Sequence, residues 1–311
     1  MSIEKVKSIF ESLPKCSTWS LQLLRINNSK QKDTAYVGRE IILSPEEALT
    51  GFVSEISSKY VSDAKAVMTS FTDILEYDGT TMEHTIYKLD KGNQLISEEY
   101  NFLLEALAKP DTEVDPFEFG AKAYVLCGSM KLDEMEKGIK LISMQKPVTT
   151  LKHKFLRSEG TFKEIKDKII TLRTTIDVII FDEIVYMLTF AGENLFNMER
   201  AYRKICEDNL QKIKKCNIVT DFKSFKDIAS KGHNPRKFVS FNDKHLQGLK
   251  NAENRKRIAK KFFIPMVDDK FNTTEPEVTD KLIKLLCDRG RGMVDPFDDT
   301  PKEVSGSKNW N

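Results

Sequence analysis

Apolar positions recur along the chain at two periods, and the change from one to the other organises it. Ile3, Val6, Ile9 and Phe10 fall three or four apart and predict a short helix over residues 2–13. The period then shortens towards two, so 19–24 (WSLQLL) and 34–43 (TAYVGREIIL) read as strands. Ser44-Pro-Glu-Glu is a helix-start signal, with Ser44 as N-cap, Pro45 in the first turn and Glu47 three residues after the cap. That helix is expected to run to about Tyr60. Residues 64–77 read as a strand, Asp78-Gly79 as a turn and 84–89 (HTIYKL) as the partner strand. Tyr100, Leu103, Leu104 and Leu107 place a helix over Ser97–Ala108, while 122–127 and 139–144 are strand-like. The densest β signal is 168–172 (KIITL), 176–181 (IDVIIF) and 184–190 (IVYMLTF), rich in β-branched and aromatic residues. Asp182-Glu183 is predicted to turn a hairpin, although it lacks the favoured Asn-Gly or Asp-Gly.

Beyond Gly192 the period lengthens. With Asn194 as the expected N-cap, Leu195, Met198, Tyr202, Ile205, Cys206, Leu210 and Ile213 share one helix face. Further helices are predicted over 221–230, 241–249, 252–262 and 277–288, and the tail from Gly290 reads as frayed. The sum is an α+β protein: an N-terminal mixed α/β unit, then a β-hairpin-containing sheet and a helical C-terminal region. The boundary is expected near residue 145, giving domains 1–145 and 146–311.

A chain of 311 residues with 40% hydrophobic and 31% charged residues can bury a core without disulfide or metal staples. No apolar run approaches the ~20 residues that span a bilayer, and residues 1–16 lack the apolar core of a signal peptide. A cytoplasmic location is therefore expected. The cysteines at 16, 127, 206, 216 and 287 are odd in number and include no C-x-x-C pair, so neither a disulfide framework nor a zinc knuckle is read from them. Cys206, Cys216 and His233 can be combined into a metal site on paper, but buried free thiols are the simpler reading. No metal and no cofactor is expected.

Charge changes the picture most. Residues 1–120 carry 12 Lys/Arg against 20 Asp/Glu, whereas residues 200–261 carry 18 against 6, within a chain of net charge +2. Such an asymmetry points to an anionic partner for the basic block. The stretch 254–266, NRKRIAKKFFIPM, concentrates it. On a helical wheel Ile258, Ala259 and Phe262 share one arc, with Lys256, Arg257, Lys260 and Lys261 opposite. Phosphates are the obvious counterpart, because neutralising each one releases counterions. The candidate nucleic-acid-binding set is Lys212, Lys214, Lys215, Arg236, Lys237, Arg255, Lys256, Arg257, Lys260 and Lys261. Charge alone leaves DNA, RNA, anionic lipid and a solvated helix face open. Phe222, Phe225, Phe238, Phe241, Phe262 and Phe263 interleave with these cations, and their spacing fits core packing better than base stacking. Contacts to phosphate without base readout are expected.

Catalytic signatures are missing from the sequence. No Walker-type loop, G-x-G-x-x-G or G-x-S-x-G occurs, and the four histidines have no metal-ligand spacing. Asp177 on a strand near Asp182 and Glu183 is similar to the carboxylates of metal-dependent nucleases, but the next strand, 184–190, supplies neither a carboxylate nor a lysine. The acidic stretches 112–118 and 295–299 lack calcium-loop spacing.

Ile176-Asp-Val-Ile-Ile, Glu183-Ile-Val-Tyr-Met and then Asn194-Leu-Phe-Asn-Met-Glu resemble a bacterial domain family that includes the B component of the two-gene Kiwa anti-phage defence system. Residues 70–77 and 281–289 fit the same run of elements, so the resemblance extends over roughly 20–300. It implies antiviral defence, phage-DNA binding by this subunit, a membrane-embedded partner (the A component, KwaA) that brings it to the envelope, and self-association as a dimer. It names no functional residue. The reading is a non-enzymatic DNA-binding effector. A metal-dependent nuclease and a pure protein-interaction subunit of the same complex are the alternatives.

Overall fold

Antiparallel pairing organises the first two-thirds of the chain. In this computed structural model, which describes residues 3–27, 35–45, 47–62, 70–71, 74–79, 84–132, 135–147, 155–158, 161–165, 168–294 and 301–305, the strands are β1 (Thr18–Asn27), β2 (Ala35–Ile41), β3 (Ile74–Glu76), β4 (Ile86–Asp90), β5 (Ala123–Leu132), β6 (Met135–Ser143), β7 (Phe155–Ser158), β8 (Thr161–Glu164), β9 (Val178–Phe181) and β10 (Ile184–Met187). Eight of them form one mixed sheet in the order β2-β1-β5-β6-β9-β10-β4-β3, and β7 and β8 pair separately. Within the eight, only the edge pair β3 and β4 is parallel. Together with the helices this makes a mixed α+β protein.

Both faces of the sheet are covered, which is why its central strands bury consecutive residues rather than alternate ones. Leu21 and Leu23 of β1 join Val6, Phe10, Val53 and Tyr60 from the helices Ile3–Ser12 and Glu47–Val61 in one core. There the Phe10 and Tyr60 rings stack at 4.2 Å. On the alternate face Gln22 donates from Nε2 to the Leu107 carbonyl, 3.1 Å away, in the helix Ser97–Ala108. That helix lies so close to β2 that a Cβ at Gly38 would stand 2.8 Å from the Ala106 carbonyl oxygen. The β9–β10 turn is as predicted: Asp182 and Glu183 both have positive φ, 52° and 63°, the type I′ conformation that matches strand twist. Ion pairs from Lys137 to Asp182 (2.9 Å) and from Lys91 to Glu183 (2.5 Å) accompany it.

Several local expectations shift. The Ser44–Pro45 peptide is cis, and the helix opens at Glu47, with the Ala48 N–H donating to the Pro45 carbonyl, so Ser44 stands outside it. Residues 168–172 form no sheet strand, because β6 and β10 already occupy both edges of β9; Thr171 N–H donates instead to the Pro147 carbonyl. Of the strand expected over 64–77, Ile74–Glu76 is one, while 64–69 and 72–73 lie outside the described residues. Because β3 and β4 run parallel, Asp78-Gly79 closes no hairpin between them. Asn194 lies inside a short helix, Ala191–Leu195, which ends before Asn197 (φ 45°), and the long helix is Met198–Cys216. The tail from Gly290 pairs, Gly290–Val294 against Pro301–Ser305.

The chain divides into two units: Met1–Tyr77 with Met82–Met198, and Asp78–Thr81 with Glu199–Asn311. The second is largely helical and has its own core of Leu210, Ile213, Phe225, Phe238, Leu246, Phe271 and Leu282. Three of its helices start at a capping side chain. Asp221, Asn242 and Asn251 accept from Ser224 N (3.0 Å), Lys244 N (2.9 Å) and Glu253 N (2.8 Å). Asp78 and Gly79 belong here: Arg289 Nη2 donates to the Asp78 carbonyl (2.7 Å), and a Cβ at Gly79 would meet the Arg236 carbonyl oxygen at 2.8 Å.

Candidate nucleic-acid interface

The helix Ala252–Phe262 begins at Asn251, whose Oδ1 accepts from both Glu253 N and Asn254 N. Its inner arc carries buried Ala259 with half-buried Ile258 and Phe262. Lys256, Arg257, Lys260 and Lys261 are all exposed, on the outer arc that the sequence predicts. Arg255 turns inward. Its Nη1 donates to the carbonyls of Leu249 (2.7 Å) and Lys250 (2.9 Å), and its Nε donates to that of Asp269 (2.6 Å). These are carbonyls just past the helix Asp243–Gly248 and in a hairpin turn, so Arg255 is a structural clamp.

The hairpin Met266–Val267/Lys270–Phe271 follows, turning at Asp268-Asp269 with both residues at positive φ. Lys256 pairs with Asp269 at 3.0 Å, and the hydrogen bond to that carboxylate raises the lysine's pKa. From the other side Lys270 Nζ donates to Asn217 Oδ1 (3.0 Å), and Phe271 bridges to Val219. Asn217 directly follows the helix Met198–Cys216, whose last turn holds Lys214 and Lys215. The hairpin thus connects two basic helix ends. Lys215, Arg257 and Lys260 are exposed and bonded to no carboxylate among the described residues, as are Lys214, whose ammonium lies 5.8 Å from the Phe222 ring centre, and Lys261, 5.7 Å from that of Phe262.

The remaining predicted cations are held elsewhere. Lys212 reaches both Asp243 oxygens at 3.1 Å and lies 5.6 Å over Phe241. Arg236 is half-buried, 5.1 Å over the Tyr202 ring. Lys237 is bonded to Asp280, which also receives Lys284 at 3.1 Å. Burial opposes ionisation of Asp280, but the two lysines outweigh it and keep its carboxyl below the usual carboxylate range.

Among the phenylalanines, Phe225, Phe238 and Phe271 are fully buried, whereas Phe263 is 72% exposed. Sequence spacing assigns Phe263 to the core. What takes its ring out of the core is its place as the C-cap of Ala252–Phe262 in a left-handed conformation (φ 52°), which apolar spacing does not reveal.

Other candidate chemistry is absorbed by structure. Asp177 Oδ2 accepts the Met144 N–H (2.7 Å) and Oδ1 the Thr189 hydroxyl (2.5 Å), tying the ends of β6 and β10 together. Asp111 and Asp115 likewise accept loop N–H groups, of Glu113 (2.8 Å) and Phe117 (2.7 Å). Residues 295–299 lie outside the described residues. Cys206 is buried with its Sγ directed at the Ala229 carbonyl (3.6 Å), and burial pushes its thiol up to about 12. Among the described residues no three His, Cys, Asp or Glu side chains gather to hold a metal, and no helix is long and apolar enough to cross a membrane.

Residues 137–290 match the family model described as Kiwa protein KwaB-like. This chain carries a KwaB-like domain. A KwaB-like domain implies a role in the Kiwa anti-phage defence system and suggests KwaA as partner. All ten predicted cations lie inside the KwaB-like domain, as do the resembling stretches 176–199 and 281–289; residues 70–77 lie outside it. No curated protein and no solved structure matches the chain.

Proposed function

We propose that this chain is the non-enzymatic DNA-binding effector of a Kiwa-type defence complex, gripping the phosphate backbone through Lys214, Lys215, Arg257, Lys260 and Lys261. The observation that carries the reading is the outer arc of Ala252–Phe262, where Arg257, Lys260 and Lys261 stand exposed and without carboxylate partners among the described residues. Lysine and arginine that neutralise phosphates release the polyanion's counterions, which favours binding. Lys256 contributes less, because Asp269 competes for it. Arg236, Lys237, Lys212 and Arg255 drop out of the binding set, since their charges are engaged within the fold. In this reading KwaA supplies the membrane attachment and the chain assembles as a dimer.

The test is a salt titration of duplex-DNA binding by the purified chain. With five phosphates neutralised, log affinity should fall against log salt with a slope of about 4 to 5. A flat salt dependence, or no binding at low salt, removes the proposal.

A further inference from the structure

Phe263 closes the basic helix in a conformation that glycine usually takes. Its φ and ψ are 52° and 46°, and the Ile264 N–H reaches back to the Ala259 carbonyl at 2.9 Å. A Cβ is disfavoured at such a left-handed helix end. Nor does burial offset the strain, since this ring is 72% exposed. Pro265 is exposed beside it in sequence, and Val267, in the hairpin that follows, is 49% exposed. Lys260 and Lys261 lie in the helical turn just before the ring, and Arg257 one turn further back. The carboxylates nearest in sequence are Asp268 and Asp269 of the hairpin turn, and Asp269 is engaged by Lys256.

A strained, uncovered aromatic ring that directly follows a turn of exposed cations fits a ligand that is both planar and polyanionic. We propose that Phe263 stacks on an unpaired nucleobase while Arg257, Lys260 and Lys261 take the flanking phosphates, so that the chain prefers single-stranded or frayed DNA to closed duplex. This rests on the phosphate-contact reading above and adds a base contact to it. A bilayer suits the patch less well. The apolar arc of Ile258, Ala259 and Phe262 packs on the protein core, and what remains outside is one ring and its two small neighbours, little apolar area for insertion.

The experiment compares oligo(dT) with a blunt duplex of equal phosphate number, by fluorescence anisotropy at matched salt. Vesicles of phosphatidylglycerol and phosphatidylcholine form a third arm. The full chain should bind oligo(dT) more tightly than duplex. Phe263→Gly suits the backbone and should melt no lower than the parent; it should weaken oligo(dT) binding roughly 5- to 100-fold and leave duplex binding unchanged. Phe263→Trp should retain oligo(dT) binding, with indole fluorescence quenched beyond that of the parent. Equal loss on both DNAs, or no loss on oligo(dT), overturns the stacking assignment and leaves phosphate contact standing. Loss confined to vesicles reassigns the ring to lipid and overturns it as well. Failure of the parent to bind either DNA at low salt removes both readings.

Discussion

In residues 234–240, Lys237 is bonded to Asp280 and Arg236 lies over the Tyr202 ring; in the helix Ala252–Phe262, Arg257, Lys260 and Lys261 meet no carboxylate among the described residues. As sequence the two segments look alike, cations beside phenylalanines in the same basic block. The difference is in what packs against them. Helix Pro276–Leu286 presents Asp280 to the first, whereas in the second Asp269 of the 266–271 hairpin pairs with Lys256. A segment's net charge therefore overstates the charge it can offer a ligand, because partners distant in sequence consume part of it.

Reversing Arg257, Lys260 and Lys261 to Glu should have the largest effect in breaking this contrast: DNA affinity should fall at least ~100-fold at low salt. Stability should fall by no more than about 2 kcal/mol, measured by urea denaturation, because each surface change is worth about 0.5 kcal/mol and carboxylates at positions 260 and 261 would only oppose the helix dipole. Equal loss of binding on reversing Arg236 and Lys237 in a protein that still folds would erase the distinction. Next comes Arg255→Ala, which sharpens it within one helix. Removing three carbonyl contacts should lower the unfolding free energy by roughly 2 kcal/mol with little change in DNA affinity. The smallest effect is expected from Asp280→Asn, because that carboxylate is about one-third exposed. Its folded pKa is depressed, so its contribution is complete above the unfolded carboxyl value of about 3.9 and is lost as pH falls through the folded value. Parent and variant should differ by about 1 kcal/mol or less at pH 7 and converge in acid, as read from melts across that range.

Much of the fold was legible because its signals are local. The inward arc of Ile258, Ala259 and Phe262 predicts a helix over 252–262, and the structure has it as Ala252–Phe262, opened by the Asn251 cap. The β-branched and aromatic residues of 176–190 place β9 and β10, even with Asp182-Glu183 in a turn that favours glycine. What stayed hidden depends on distant partners. The parallel pairing of β3 with β4, the exclusion of 168–172 by β6 and β10, and the Lys237–Asp280 contact are each set by packing that no short window contains. The same holds for the site. The outer arc of cations could be read from periodicity, but the inward turn of Arg255 depends on where Leu249, Lys250 and Asp269 place their carbonyls.

The short visit of Asp78 and Gly79 to the helical unit bears on how the gene can be cut. A fragment expressed from residue 199 onward would lack a native piece of its own body, leaving Arg289 without the Asp78 carbonyl that it normally holds. Subcloning that half alone is thus a poor way to isolate its binding behaviour, and co-expressing the missing stretch as a separate peptide would be the natural complement.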